Sequence, residues 1–153
     1  MLAGVIERPT KDLDAVAIHQ AGALFSAHPL PSFLKTAVQD VARAYGLADD
    51  WLNGGPTDLL DPGLPEGFID RATARRFGPL TIRVAHRFDQ IHFKLYAVVD
   101  QGPRSKHMDD LQRLSPTTDE LSTAADWCRA HDPSPAFEEM LLQALEALGG
   151  SDG

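Results

Sequence analysis

A chain of 153 residues of which 43% are hydrophobic is long enough to bury one core, and it is expected to form a soluble globular protein. No uncharged apolar run is long enough to cross a membrane, and Met1 is followed by no secretory signal, which excludes a membrane-spanning or secreted class. One cysteine, Cys128, excludes a disulfide within the chain and agrees with a reducing compartment. The expectation is a cytoplasmic protein with no membrane partner.

The net charge is −8, which taken alone speaks against a nucleic-acid binder. The charge is unevenly distributed, because residues 71–113 hold nine basic residues and four acidic ones. That segment carries +5 and the remainder carries −13. A positive middle of this kind suits a phosphate-bearing ligand, or it is a solvated surface whose cations pair with acids elsewhere, and the sequence leaves both interpretations open.

The first half of the chain predicts one strand and one helix. Residues 12–18, DLDAVAI, are a strand candidate with an apolar second half. Residues 32–45 place apolar side chains at spacings of three and four, which predicts a helix that Gly46 ends. Residues 47–53 suggest a short helix or turn, and residues 54–68 hold four glycines and three prolines, which is typical of a loop.

The second half predicts one strand followed by helices. Residues 79–86 alternate apolar and polar side chains, which favours a strand, and residues 88–99 have helical spacing. Three further helices are predicted from their start signals, which are Ser105, the capping-box pair Thr117 and Glu120, and Ser134-Pro135, the last helix ending at Gly149. The pattern is that of an α+β fold with a small sheet early in the chain and an all-helical C-terminal third.

Two carboxylates, Asp12 and Asp14, flank one leucine at the start of the apolar run. Residues i and i+2 of a strand point to the same face, so these carboxylates are expected to lie side by side. Like charges this close repel each other unless a cation lies between them, and oxygen ligands suit Mg²⁺ or Mn²⁺ together with substrate phosphates. The alternative is a solvated strand end that carries two surface aspartates.

The sequence around these aspartates, GVIERPTKDLDAVAI, resembles the second half of the signature of the nucleotidyltransferase superfamily. An Arg-x-Thr-x-Asp-hydrophobic-Asp stretch closes that signature, and it is formed here by Arg8, Thr10, Asp12, Leu13 and Asp14. Two later stretches, GLADDWLN and FKLYAVVDQGPRSKHMDDLQRL, are similar to segments of small bacterial nucleotidyltransferase-like proteins of the abortive-infection toxin type.

In the second of these stretches, Lys94 falls on the group's helix lysine and Asp110 falls on its later aspartate. The resemblance extends over residues 4–114. It implies an α+β fold with a small mixed nucleotidyltransferase-like sheet and flanking helices. It further implies a core of residues 1–115 and a helical extension of residues 116–153 that packs on this core.

The resemblance also implies an activity, namely transfer of a nucleoside monophosphate from a nucleoside triphosphate to an RNA end such as that of tRNA, or to a protein hydroxyl. A toxin of this type would have an antitoxin protein as its partner. The implied roles are catalysis by Asp12, Asp14, Lys94 and Asp110, binding of Mg²⁺ or Mn²⁺ by Asp12 and Asp14, and nucleotide binding by Arg8, Thr10 and Lys94.

The chain departs from the family pattern at several places. The family's Gly-Ser pair lies well before its first aspartate, and this chain begins too late to contain it, so either the start lies further upstream, the chain is truncated, or the motif has decayed. The predicted strand at residues 79–86 offers Thr81 and Arg83 where a third carboxylate is expected. The missing Gly-Ser pair motivates one alternative, a binding or regulatory protein on a decayed nucleotidyltransferase scaffold. A further alternative is a structural partner whose acidic surface docks a basic protein.

Overall fold

The computed structural model describes residues 12–149. These residues form two compact units, an N-terminal unit of residues 12–64 and a C-terminal unit of residues 65–149. The α+β class expected from the sequence is confirmed, with short strands in both units and most of the helices in the second. The compact units meet in sequence between Leu64 and Pro65, whereas the family-based division at residues 115 and 116 stays a prediction.

The N-terminal unit is built from two small ladders and one helix. Strands β1 and β4 pair in parallel, with Leu13 opposite Leu52 and Asp14 opposite Asn53. Strands β2 and β3 form an antiparallel hairpin. The elements are β1 (Leu13–Asp14), β2 (Ala17–Gln20), β3 (Ala23–Ser26), α1 (Ser32–Tyr45), β4 (Leu52–Asn53) and a 3₁₀ turn at Gly55–Leu60.

Helix α1 has the bounds that the sequence predicts. Its inner face buries Val38 and Ala42, and Gly46 ends it in the left-handed conformation with φ 66°, donating its N–H to Ala42 O. The indole Nε1 of Trp51 donates to Val38 O at 2.9 Å. This hydrogen bond ties the chain just before β4 to the helix, so α1 positions the strand that pairs with β1.

The predicted strand at residues 12–18 is divided in the structure, because the chain changes pairing partner inside it. Leu13 N–H donates to Trp51 O, just before β4, and Ala15 N–H donates to Asn53 O of β4, whereas the pairing with β3 begins only at Ala17. The predicted short helix or turn at residues 47–53 contains strand β4 instead. The predicted loop at residues 54–68 includes the 3₁₀ turn and reaches the first residue of a short helix.

The C-terminal unit is an antiparallel hairpin joined to a group of helices. Helix α3 packs against α4, α5 and α6, and its residues Ile91, Leu95 and Val98 are fully buried at the spacing that the sequence predicts. The elements are α2 (Phe68–Arg71), β5 (Thr73–Phe77), β6 (Leu80–Val84), α3 (Arg87–Gln101), α4 (Lys106–Arg113), α5 (Thr118–His131) and α6 (Pro135–Gly149). The single core cluster of this unit draws on α3 to α6, and all its members lie between Ile91 and Ala144.

Three features of the strands and caps differ from expectation. The described strands form three separate two-stranded ladders rather than one small mixed sheet. Strand β5 was not predicted, because its sequence TARRF has no apolar alternation. Helix α4 does begin after Ser105, but the Ser105 side chain makes no capping hydrogen bond, and its buried Oγ has no hydrogen-bond partner among residues 12–149.

None of the helices among residues 12–149 combines the length and apolar character of a membrane span.

The predicted capping box at the start of α5 is confirmed. Thr117 Oγ1 accepts the N–H of Glu120 at 3.2 Å, and Glu120 Oε2 accepts the N–H of Thr117 at 2.9 Å. The guanidinium of Arg87 also binds Glu120 and donates to Leu114 O, and its hydrogen bonds are the main reason that the pKa of Glu120 is lowered. The α4–α5 turn is therefore fixed to the first residue of α3.

Replacing Thr117 with alanine is expected to lower the free energy of unfolding by about 1 kcal/mol, because the N–H of Glu120 loses its acceptor at the helix end. Urea unfolding followed by circular dichroism measures this loss. The control is Thr118→Ala, which removes the neighbouring threonine but no capping bond. Equal effects of the two substitutions would contradict a role for the capping box.

Candidate functional site

The predicted carboxylates lie on and beside strand β1. Asp14 is opposite Asn53 in the parallel pair, and Asn53 Nδ2 donates to Asp14 Oδ1 at 3.1 Å. Asp12 directly precedes the strand, and both aspartates are exposed. Ligands of parallel sheets bind outside the carboxyl ends of the strands, and Asp14 and Asn53 are the last residues of β1 and β4. The local arrangement therefore presents carboxylate oxygens to solvent at a position suited to ligand binding.

The backbone around Asn53 is held in place by a close approach at Gly54. Gly54 is buried, and a side-chain Cβ at this position would lie 2.6 Å from the carbonyl carbon of Ala27. Asn53 Oδ1 accepts the N–H of Gly55 at 2.9 Å, which orients its amide so that Nδ2 faces Asp14. Because only glycine fits at residue 54, the sequence Asn53-Gly54-Gly55 fixes the partner of the Asp14 carboxylate.

The carboxylate oxygens of Asp12 and Asp14 are ligands of the type that hard divalent cations prefer. Carboxylate oxygens suit Mg²⁺ or Mn²⁺, and Mg²⁺ often takes only one or two carboxylates together with substrate phosphates. Within residues 12–149 no group of three or more His, Cys, Asp or Glu side chains is arranged to hold a metal. Asp12 and Asp14 therefore provide carboxylate oxygens of the kind that such a cation prefers, and no third His, Cys, Asp or Glu side chain in the described part of the chain joins them.

The predicted pair Lys94 and Asp110 is brought together by α3 and α4. Lys94 Nζ donates to Asp110 Oδ2 at 3.0 Å, with 27% of the lysine side chain exposed and 4% of the aspartate side chain exposed. The two residues are 16 positions apart, so their contact depends on the packing of the two helices. A buried carboxylate held by a partly exposed ammonium fixes the position of that ammonium at the rim of the helix pair.

The six residues suggested by the resemblance thus fall into three groups. Asp12 and Asp14 belong to the N-terminal unit, and Lys94 and Asp110 belong to the C-terminal unit. Arg8 and Thr10 lie outside the described residues.

A second ion pair, which no sequence pattern indicates, joins Arg71 at the end of α2 to Asp89 in the first turn of α3. The fully buried carboxylate of Asp89 receives two hydrogen bonds from Arg71, at 3.1 Å from Nε and 2.5 Å from Nη2. These bonds are the main reason that the pKa of Arg71 is raised. The guanidinium carbon of Arg71 lies 4.8 Å from the ring centroid of Phe88, which adds a cation–π contact. Asp89 lies in the first turn of α3, where an acidic side chain usually stays at the surface and interacts favourably with the helix dipole, so no sequence pattern indicates its burial.

Beside this ion pair, the C-terminal unit has a cleft of about 520 Å³. His92 lies in its wall, with Nδ1 2.8 Å from Phe88 O, and the ring packs edge-on against Trp127 with 5.7 Å between centroids. The other walls include Glu66, Gly67, Arg71 and Phe88. The cleft combines aromatic rings with one guanidinium and one carboxylate, which is the composition of a small polar-aromatic pocket. Cys128 does not line this cleft, and burial raises the pKa of its thiol to about 12, which disfavours the nucleophilic thiolate.

The burial of His92 predicts a dependence of stability on pH. Desolvation lowers the pKa of His92, partly opposed by its bond to Phe88 O and by the charge of Asp89. In the unfolded chain His92 binds a proton near pH 6.5, whereas in the folded chain it does so only at lower pH. The contribution of His92 to the free energy of unfolding is therefore fully present above about pH 6.5 and decreases as the pH falls below that value. We expect the urea midpoint to fall between about pH 7.5 and about pH 5.5.

The variant His92→Asn is expected to remove most of this fall, because its amide can replace Nδ1 as the donor to Phe88 O without titrating. His19→Asn, at an exposed position of β2, is the control and should leave the pH dependence unchanged. A pH profile that is the same in His92→Asn as in the parent chain would show that other groups cause it.

Comparison with known proteins adds nothing to these assignments, since no protein-family model, no curated protein and no solved structure matches the chain. The roles of the residues must therefore be argued from their own chemistry.

Proposed function

We propose that the protein is a nucleotidyltransferase, which moves a nucleoside monophosphate from a nucleoside triphosphate to an acceptor hydroxyl on an RNA end, such as that of tRNA, or on a protein. The observation that carries the proposal is the exposed Asp14 carboxylate at the end of two parallel strands, beside Asn53 and next to Asp12. Bound magnesium or manganese would supply charge neutralisation to the triphosphate and an increased acidity of the acceptor hydroxyl.

The proposed reaction makes one bond and breaks one. The acceptor oxygen attacks the α-phosphorus, the bond from that phosphorus to the bridging oxygen of the β-phosphate breaks, and pyrophosphate leaves with the electron pair. The hydroxyl proton passes to solvent. Negative charge develops on the phosphate oxygens, and a fixed cation stabilises it.

The resemblance assigns nucleotide binding to Lys94, and an ammonium group can neutralise phosphate oxygens. Asp110 is the positioning residue of Lys94, because a 3.0 Å hydrogen bond from a buried carboxylate limits where the ammonium can lie. Arg8 and Thr10 are proposed to contact the nucleotide, as the resemblance implies. The proposed setting is the cytoplasm, and a toxin of this kind would be neutralised by an antitoxin protein.

The test is transfer of label by the full chain. The purified protein is incubated with each of the four α-³²P-labelled nucleoside triphosphates, Mg²⁺ and either total tRNA or a protein mixture, and the products are separated by electrophoresis. The expected result is label in one acceptor fraction that depends on Mg²⁺ and on one nucleotide. Absence of label in both fractions, with every nucleotide and with Mn²⁺ in place of Mg²⁺, would contradict the proposal.

A second function, that of a binding or regulatory protein on a decayed nucleotidyltransferase scaffold, is favoured by one observation. The Lys94 ammonium is already paired with a carboxylate whose side chain is 4% exposed, and this neighbouring negative charge weakens the attraction of the ammonium for a triphosphate. Thermal shift with ATP, GTP, CTP and UTP separates the two functions. The decayed scaffold is expected to show no Mg²⁺-dependent stabilisation by any nucleotide, whereas the enzyme is stabilised by at least one.

A further inference from the structure

The hairpin of β5 and β6, here named the β5–β6 ribbon (residues 73–84), is exposed along nearly its whole length. Only Val84 among its strand residues is partly buried. Its apolar side chains are exposed as well, with Phe77 at 59%, Leu80 at 42% and Ile82 at 42%. An isolated two-stranded hairpin is marginally stable, and exposed apolar residues on it are typical of a surface that meets a partner.

The ribbon also lies in a stretch of the sequence whose charged residues are all basic. Between Arg71 and Phe88 the sequence has five arginines and no acidic residue, in a protein whose net charge is −8. The arginines at its two ends are neutralised, Arg71 by Asp89 and Arg87 by Glu120. The arginines of the ribbon itself are Arg75, Arg76 and Arg83, which are exposed and form no ion pair with any residue between positions 12 and 149.

The strand register places these cations on both faces. Directly opposed residues of an antiparallel pair share a face, so Arg75 lies with Ile82, and Phe77 lies with Leu80 beside the turn. The other face carries Arg83 opposite Ala74, and Arg76 opposite Thr81. The ribbon therefore presents one aromatic ring near its tip with a guanidinium two residues away on the same face, and two guanidinium groups on the opposite face.

We propose that the β5–β6 ribbon binds an unpaired segment of RNA, with phosphates on its arginines and a base stacked on Phe77. The inference rests on the proposed function in that this RNA is the nucleotidyl acceptor. Exposed cations beside an aromatic ring are the pattern of single-strand binding surfaces. Unpaired RNA fits better than a helix, because the major groove of A-form RNA is too deep and narrow for side chains to read.

An acidic protein surface fits the ribbon less well than RNA does. A folded protein would meet one face, and the face of Arg76 and Arg83 has no aromatic or large apolar residue to bury. A flexible polyanion can follow cations on both faces and at the same time leave bases for Phe77.

The test measures binding of fluorescein-labelled tRNA to the full chain by anisotropy, without nucleotide or Mg²⁺. The variant Arg75→Ala/Arg76→Ala/Arg83→Ala is expected to weaken binding by about tenfold or more and to reduce the slope of log K against log salt by about 2. The control Arg104→Ala/Lys106→Ala/Arg113→Ala removes three exposed cations from the same unit and should weaken binding by less than about threefold. The variant Phe77→Ser should weaken binding with no change of the salt slope.

Each remaining outcome decides the inference. Equal weakening by the ribbon variant and its control would overturn it, as would competition by polyglutamate that equals competition by an unpaired RNA of the same charge. The lysine variant Arg75→Lys/Arg76→Lys/Arg83→Lys keeps the charge and should retain the slope of log K against log salt. A retained slope would show that the alanine variant binds weakly because it lacks the phosphate contacts and not because the ribbon is misfolded. Binding on the ribbon without any label transfer would support the surface and contradict the enzyme, whereas transfer with unchanged binding by the ribbon variant would do the reverse.

Discussion

Replacing Asp89 with alanine is expected to lower the free energy of unfolding of the C-terminal unit by about 3 kcal/mol. The substitution leaves the guanidinium of Arg71 without the fully buried carboxylate that receives both of its hydrogen bonds. Arg71 is 30% exposed, so solvent recovers part of the loss and the expected effect is at the lower end for a broken buried pair. Urea unfolding of the full chain measures it.

Two companion variants make this expectation specific. Asp100→Ala, near the other end of α3 and exposed, should change the free energy of unfolding by less than about 0.5 kcal/mol. The double variant Arg71→Met/Asp89→Leu, which removes both charges, should recover most of the loss, because apolar residues can fill a site from which both charges are gone. If Asp89→Ala unfolds no more easily than Asp100→Ala, the buried pair does not stabilise the unit.

Under the proposed function, replacing Asp14 with asparagine is expected to reduce nucleotidyl transfer by about a hundredfold or more, since the proposed cation site would lose half of its carboxylate charge. The asparagine oxygen can still accept the hydrogen bond from Asn53 Nδ2, so the local fold should be retained. The initial rate of α-³²P label transfer is the measurement, and the Mg²⁺-dependent thermal shift with nucleotide should fall with it.

The control for this variant is Asp49→Asn, which removes an exposed carboxylate of the same unit. It is expected to transfer label at the rate of the parent chain. A rate for Asp14→Asn equal to that of Asp49→Asn would remove Asp14 from the proposed site. Loss of transfer without loss of the thermal shift would place Asp14 in the chemical step rather than in nucleotide binding.

The helices were largely predictable because their evidence is local. The apolar spacing of residues 32–45, the capping box of Thr117 and Glu120, and the Ser134-Pro135 start each act within a few residues, and each is found in the structure. The strands were less predictable, since a strand exists only through its partner. The pairing of Leu13–Asp14 with Leu52–Asn53 joins positions far apart in sequence, and β1 is too short to show a pattern.

The candidate site shows the same limit. Asp12, Asp14, Lys94 and Asp110 were selected as site residues because their types and order resemble those of a known family. A contact between Lys94 and Asp110 could be anticipated because both residues lie on predicted helices. No local sequence pattern indicates that Asp89 is buried, because the β5–β6 hairpin separates it in sequence from its partner Arg71. Burial of an ion pair is a property of the packed unit and not of either sequence neighbourhood.

The packing of α3 against α4, α5 and α6 has a consequence for folding during synthesis on the ribosome. Its buried residues Ile91, Leu95 and Val98 are synthesised before α5 and α6, which are needed to cover them. During that interval the apolar stripe of α3 is open to water and to other nascent chains, the condition in which chaperones bind. Slowed translation after residue 101 should therefore prolong chaperone association, and faster completion of α6 should shorten it.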